Sequence, residues 1–205
     1  MDDLTTLSIS EFLEKVAERT PTPGGGAVAA LAGALSCAMA HMVASYSAGK
    51  RTEADAQAEV DDVRDKLHGA DELMRALITA DGSAYMAMTR AAGDAKTSAA
   101  AQRTYQDAVM RAIGVPMEMA ALACSTLSTL GAFKESASRF MLSDLGVAAV
   151  LAAAAARAAV LSVRVNAREI SDVTLREKII ADADDIVARC TGHLDSIEAY
   201  VGARL

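Results

Sequence analysis

The segment from Gly24 to Gly49, GGGAVAALAGALSCAMAHMVASYSAG, constrains this chain more than any other. It carries no formal charge when His41 is neutral, and nearly every position is a good helix former or a small residue. Such a run reads as a buried helix whose small side chains let neighbouring helices approach closely, since a linker would not exclude charge so completely. The triple glycine after Pro21-Thr22-Pro23 marks its first turn: Pro is tolerated at an early helical position, and Thr22 is placed to cap the N–H groups behind it. Glycines leave those N–H groups open, either to a ligand's anionic or carbonyl oxygen or to the close passage of another helix. The spacing fits neither a phosphate loop nor a dinucleotide fingerprint, because no Lys-Ser or Lys-Thr follows the glycines and no β-rich run precedes them.

Apolar periodicity predicts helices along almost the whole chain. A short amphipathic one over 8–19 turns Ile9, Phe12, Leu13 and Val16 to one side. After the buried helix at 24–48 comes a charged helix over 52–80 with Val60, Val63, Leu67, Leu73, Leu77 and Ile78 inward; Asp81-Gly82 is a candidate break, although the helical pattern resumes through Tyr85, Met86 and Met88 before weakening at Ala91–Asp94. A helix over 97–113 ends at Gly114, Pro116 opens another over 117–133, Ser143 or Asp144 caps one over 144–167, and the last spans 173–200. No repeat or domain linker interrupts the 205 residues, which predicts one all-α domain, 1–205, an elongated bundle of long helices. Aromatic residues are only 3% of the chain, so the core must be Ala, Leu, Val and Met. A lone protomer would leave alanine stripes in water, and an oligomer is expected.

The net charge of −7 argues against broad contact with nucleic acid. Cys37, Cys124 and Cys190 sit in apolar helical contexts and read as reduced, buried thiols of a cytoplasmic protein, and no secretory signal opens the sequence. The apolar runs at 24–49 and 145–156 are interrupted by polar groups or end at Arg157, which favours a soluble helical core over a membrane span. No metal is expected: Cys37 and His41 share a helix face, but two ligands make no closed site and neither His68 nor His193 adds recognisable spacing. Arg157, Arg164 and Arg168 form one stripe, open to interhelical or intersubunit ion pairs or to substrate carboxylates.

The segment Thr20–Lys50, in particular Pro21-Thr22-Pro23-Gly24-Gly25-Gly26, Val28-Ala29-Ala30, Gly33-Ala34-Leu35, Met42-Val43 and Gly49-Lys50, resembles the cyclodeaminase/methenyltetrahydrofolate cyclohydrolase family. Asp81, Arg103, Val115-Pro116, the run Ser143-Asp144-Leu145-Gly146-Val147-Ala148-Ala149, and Val163, Val165 and Asn166 continue the similarity in order. The resemblance implies a small all-helical homodimer that binds a folate and needs neither a metal nor any cofactor beyond its tetrahydrofolate-type substrate. One branch hydrolyses 5,10-methenyltetrahydrofolate to 10-formyltetrahydrofolate; the other eliminates ammonia from 5-formiminotetrahydrofolate as the ring closes. A chain of this length without a formiminotransferase portion points to the cyclohydrolase. The alternatives are the cyclodeaminase, a related cyclase, hydratase or lyase acting on a non-folate nitrogenous substrate, and a non-catalytic ligand-binding helical dimer.

Carried onto this sequence, the resemblance makes Lys50 and Asp81 the candidates nearest the reacting group. A carboxylate can take a proton, and a lysine can stabilise a developing oxyanion or tune that carboxylate. Thr22, Gly24, Gly25, Gly26, Arg103, Ser143, Asp144, Arg164 and Asn166 are the candidate binding residues, Lys50, Asp81 and Asp144 also having plain readings as helix-end charge or cap. The sequence departs from the family pattern at Ser136–Leu142, at Ser162, at His41 and at Ala91–Asp94.

Overall fold

A computed structural model describes residues 3–48 and 54–205, and every long element in it is helical. The order is α1 (Ile9–Ala17), α2 (Gly25–Ser47), α3 (Ala54–Asp94), α4 (Ala99–Phe133), α5 (Leu142–Ala167) and α6 (Val173–Gly202), with single 3-10 turns at Leu4–Thr6 and Arg139–Met141. α1 starts on a reciprocal cap in which Ser8 accepts from the Glu11 N–H and the Glu11 carboxylate accepts from the Ser8 N–H at 2.7 Å.

The charge-free α2 lies in the middle, packed against α3 on one side and α5 on the other, while α4 bridges α3, α5 and α6. Its small residues explain the closeness of that packing: a Cβ on Gly33 would stand 2.7 Å from Met74 Sδ, so the α3 methionine lies directly on the bare backbone. Buried hydroxyls are satisfied within the same layer. Ser36 donates to the Ala148 carbonyl at 2.7 Å, and Ser47 donates to the Val43 carbonyl at 2.8 Å while accepting from the Ser138 N–H at the same distance.

Several sequence expectations give way in the tertiary structure. At Asp81-Gly82 the resumed helical pattern prevails over the candidate break: α3 runs unbroken for 41 residues, about 60 Å at the α-helical rise. Burial along α2 outweighs the roughly 1 kcal/mol that an interior glycine costs. Gly114 and Pro116 likewise fail to divide α4. On α3, Leu73 is 47% exposed and Met74 takes the buried place. The capping assignments shift too, since Gly24 precedes α2 with no side-chain cap from Thr22, and Ser143 and Asp144 lie inside the first turn of α5 rather than before it. Three helical segments, Gly25–Ser47, Ala99–Phe133 and Arg139–Ala167, are long and apolar enough to cross a membrane by length and composition, and about half of each apolar window is buried against the rest of the protein.

Candidate active site

Where α2 begins, the chain from Pro21 to Gly26 faces the middle of α3, the middle of α4 and the last turns of α5. The four elements enclose a cleft of about 290 Å³ lined by Pro21, Thr22, Gly24, Gly25, Gly26, Asp81, Tyr85, Ala112, Leu161, Ser162, Val165 and Asn166. The uncapped start of α2 leaves first-turn N–H groups without a side-chain partner at one wall.

Asp81 reaches the cleft because Gly26 has no side chain. A Cβ built on Gly26 would overlap the Asp81 carboxyl group, so the carboxylate is seated against bare α2 backbone. Burial alone pushes the Asp81 carboxyl above its ordinary range, and among the described residues no cation pairs with it. Such a group takes and returns a proton more readily near neutral pH than an exposed aspartate.

Opposite Asp81, α5 presents Ser162 and Asn166 one turn apart, flanked by Leu161 and Val165, which are 60% and 59% exposed. Asn166 Nδ2 donates to the Ala112 carbonyl of α4 at 2.7 Å. The cleft therefore joins a polar end, at Asp81 and the glycine turn, to an apolar shelf suited to a flat ring.

A family model described as formiminotransferase-cyclodeaminase matches residues 8–185. The chain belongs to that family. It is 30% identical over 185 residues to the methenyltetrahydrofolate cyclohydrolase of Methylorubrum extorquens, covering 88% of this chain and 89% of that one. It is 28% identical over 179 residues to the formimidoyltransferase-cyclodeaminase of Rattus norvegicus, covering 85% of this chain but 33% of the rat protein, so it spans about a third of that relative. The solved structure of formiminotetrahydrofolate cyclodeaminase from Thermotoga maritima superposes with a TM-score of 0.89 at 29% identity, over 98% of both chains.

Of the residues that the formiminotransferase-cyclodeaminase resemblance singled out, the fold brings Thr22, Gly24, Gly25, Gly26, Asp81 and Asn166 to one cleft. Lys50 lies outside the described residues. Ser143 and Asp144 do not line the cleft: they start α5 and Asn166 ends it, about 33 Å apart at the helical rise. Arg164 is engaged elsewhere, donating to Asp184 of α6 at 2.6 Å, and Arg157 donates to Thr191 at 3.2 Å, so two members of the arginine stripe tie α5 to α6. Arg103 is exposed on α4, away from the cleft lining.

Of the segments that depart from the family pattern, Ser162 lines the cleft and Ser136–Leu142 does not. The latter is fastened at the far end of α2, where the Ser138 N–H donates to Ser47 and Ser136 donates to Glu59 at 2.7 Å. Tyr85, Leu161 and Val165 were not legible as site residues, although Tyr85 follows Asp81 by one helical turn, and Leu161 and Val165 flank Ser162 and Asn166. Among the described residues no group of three or more His, Cys, Asp or Glu side chains is arranged to hold a metal ion.

Proposed function

We propose that this chain binds a tetrahydrofolate bearing a one-carbon unit in the cleft and closes the ring of 5-formiminotetrahydrofolate, releasing ammonia and leaving 5,10-methenyltetrahydrofolate. The observation that carries this reading is the Asp81 carboxyl seated against Gly26 at the cleft, its proton affinity raised by burial. In the reaction the N10 amine attacks the formimino carbon and must lose its proton, while the departing nitrogen must gain one to leave as ammonia. A single carboxylate that accepts the first proton and delivers the second balances both steps. The α2 N–H groups and Thr22 orient the polar edge of the ligand, and Leu161 and Val165 carry its ring.

Ring closure is preferred here to the hydrolysis suggested by chain length, because the Thermotoga maritima cyclodeaminase matches this chain over 98% of its own length. The extent of the chain therefore does not separate the two activities. Hydrolysis of 5,10-methenyltetrahydrofolate is the second reading, favoured by the full-length similarity to the Methylorubrum extorquens cyclohydrolase. Asp81 then accepts its proton from water. The two are told apart by supplying each compound: the first predicts ammonia release with a rise in the near-ultraviolet absorption of the methenyl product, the second a fall of that absorption above the uncatalysed rate. Acceleration of neither would overturn the folate assignment.

The chain acts, in this reading, as a single-domain cytoplasmic enzyme and a homodimer, with Lys50 as a second polar group near the reacting carbon. The dimer is supported by an apolar face that spans Val28 and Leu35 of α2 and Val147 and Val150 of α5, all left exposed by the single chain. Ser143 and Asp144, and Arg103 with them, serve a ligand at this cleft only from a second copy.

A further inference from the structure

The unbroken course of α4 through Pro116 is explained on α5. A helical carbonyl at Ala112 ordinarily accepts from the N–H four residues on, but Pro116 has none to give. The Ala112 carbonyl is reached instead by Asn166 Nδ2 at 2.7 Å. Only the NH2 end of a carboxamide can bond to a carbonyl, so this contact fixes which way the side chain is turned, with Nδ2 toward α4 and Oδ1 away from it. Among the described residues nothing donates to Oδ1, and Asn166 lines the cleft.

We propose that Pro116 is a positioning residue: by withholding an N–H from Ala112 it recruits the Asn166 amide and sets its polarity, so that the cleft offers its ligand a hydrogen-bond acceptor and selects an N–H or NH2 edge there. The identity of that edge as a pterin N–H or amino group rests on the folate reading; the hydrogen-bond arrangement does not. An alanine at 116 returns the missing N–H, lets α4 satisfy Ala112 internally, and releases the Asn166 amide to present either end.

Asn166 is the only asparagine in the sequence, so selective labelling of asparagine side chains with heavy nitrogen gives a single NH2 pair by NMR. In the wild type one of these protons is expected to exchange slowly with water, and in Pro116→Ala it should exchange about tenfold faster, as the loss of one hydrogen bond implies. The same variant should raise KM for 5-formiminotetrahydrofolate about tenfold while kcat stays within about threefold. Asn166→Ala should match that KM, and the double variant should be no worse than Asn166→Ala alone.

Slow exchange retained in Pro116→Ala, fast exchange with an unchanged KM, or additive effects in the double variant would each overturn the proposal. Should Pro116→Ala fail to give a helical protein by circular dichroism, the wild type decides: an Asn166 pair that exchanges as fast as a free amide refutes the arrangement, and a protected one upholds it. Failure of the folate reading is recognised separately, as absence of folate turnover in the wild type with the exchange result intact.

Discussion

Gly26→Ala is the substitution with the most to say about how this cleft works. Its new Cβ occupies the volume of the Asp81 carboxyl group, which must retreat by about 1.3 Å or more to reach van der Waals separation. Asp81 sits on a continuous helix buried along α2, so it yields by rotating its side chain, at about 0.5–1.5 kcal/mol. Up to about 1 kcal/mol returns from replacing a helical glycine, so stability should change by less than about 1.5 kcal/mol. Activity has no such compensation: a proton-transfer group misplaced by about 1 Å costs on the order of 100-fold in rate. A Cβ on Gly25 meets nothing within 4 Å and leaves Asp81 in place. Ammonia release from 5-formiminotetrahydrofolate should therefore show a roughly 100-fold fall in kcat for Gly26→Ala, with an effect confined to KM for Gly25→Ala. Equal kcat losses in both variants, or a Gly26→Ala enzyme within about threefold of wild type, would refute the claim that glycine is required at 26 to seat the carboxylate.

Asp81→Asn should abolish turnover yet raise the melting temperature at neutral pH. Burial lifts the folded-state pKa above the unfolded value of 3.8, so the favourable contribution of Asp81 is complete below 3.8 and is lost as pH rises through the folded value; the gain should vanish in acid, and a variant that melts lower at pH 7 contradicts it. The acid limb of wild-type kcat/KM should fall above the ordinary aspartate range for the same reason, a limb near 3.8 excluding Asp81 as the titrating group. Val150→Glu, on the exposed α5 face, should convert a dimer into a monomer by light scattering at micromolar concentration; a wild type already monomeric there removes the dimer proposal. The thiols should be nearly inert in the native protein, because burial pushes Cys37 up and, with the Cys124 thiol alongside, Cys190 up to about 12; a disulfide reagent at pH 8 should react at least about 100-fold faster after denaturation.

Helix content and the buried character of α2 were fixed by local chemistry, since charge exclusion, small residues and 3.6-residue periodicity act over a few turns and need no distant partner. The glycine turn was legible for the same reason, as a motif with chemical meaning in its own residue types, whereas Asp81 was singled out only by the family resemblance. Continuity was not legible. Gly82 and Pro116 are breakers by propensity, and they fail to break because α2 buries the one and the Asn166 side chain, 50 residues further on, satisfies the carbonyl that the other leaves free. Nor could spacing separate Arg164 from Asn166 or Asp144, all polar groups on one helix. Only the packing of α6 turns Arg164 into an ion pair with Asp184, only the length of α5 carries Asp144 away from the cleft, and only the meeting of α2, α3, α4 and α5 makes Asp81, Gly26 and Asn166 neighbours. Local sequence decides what each helix is made of, whereas which of its faces carries a site depends on the surfaces that other helices cover.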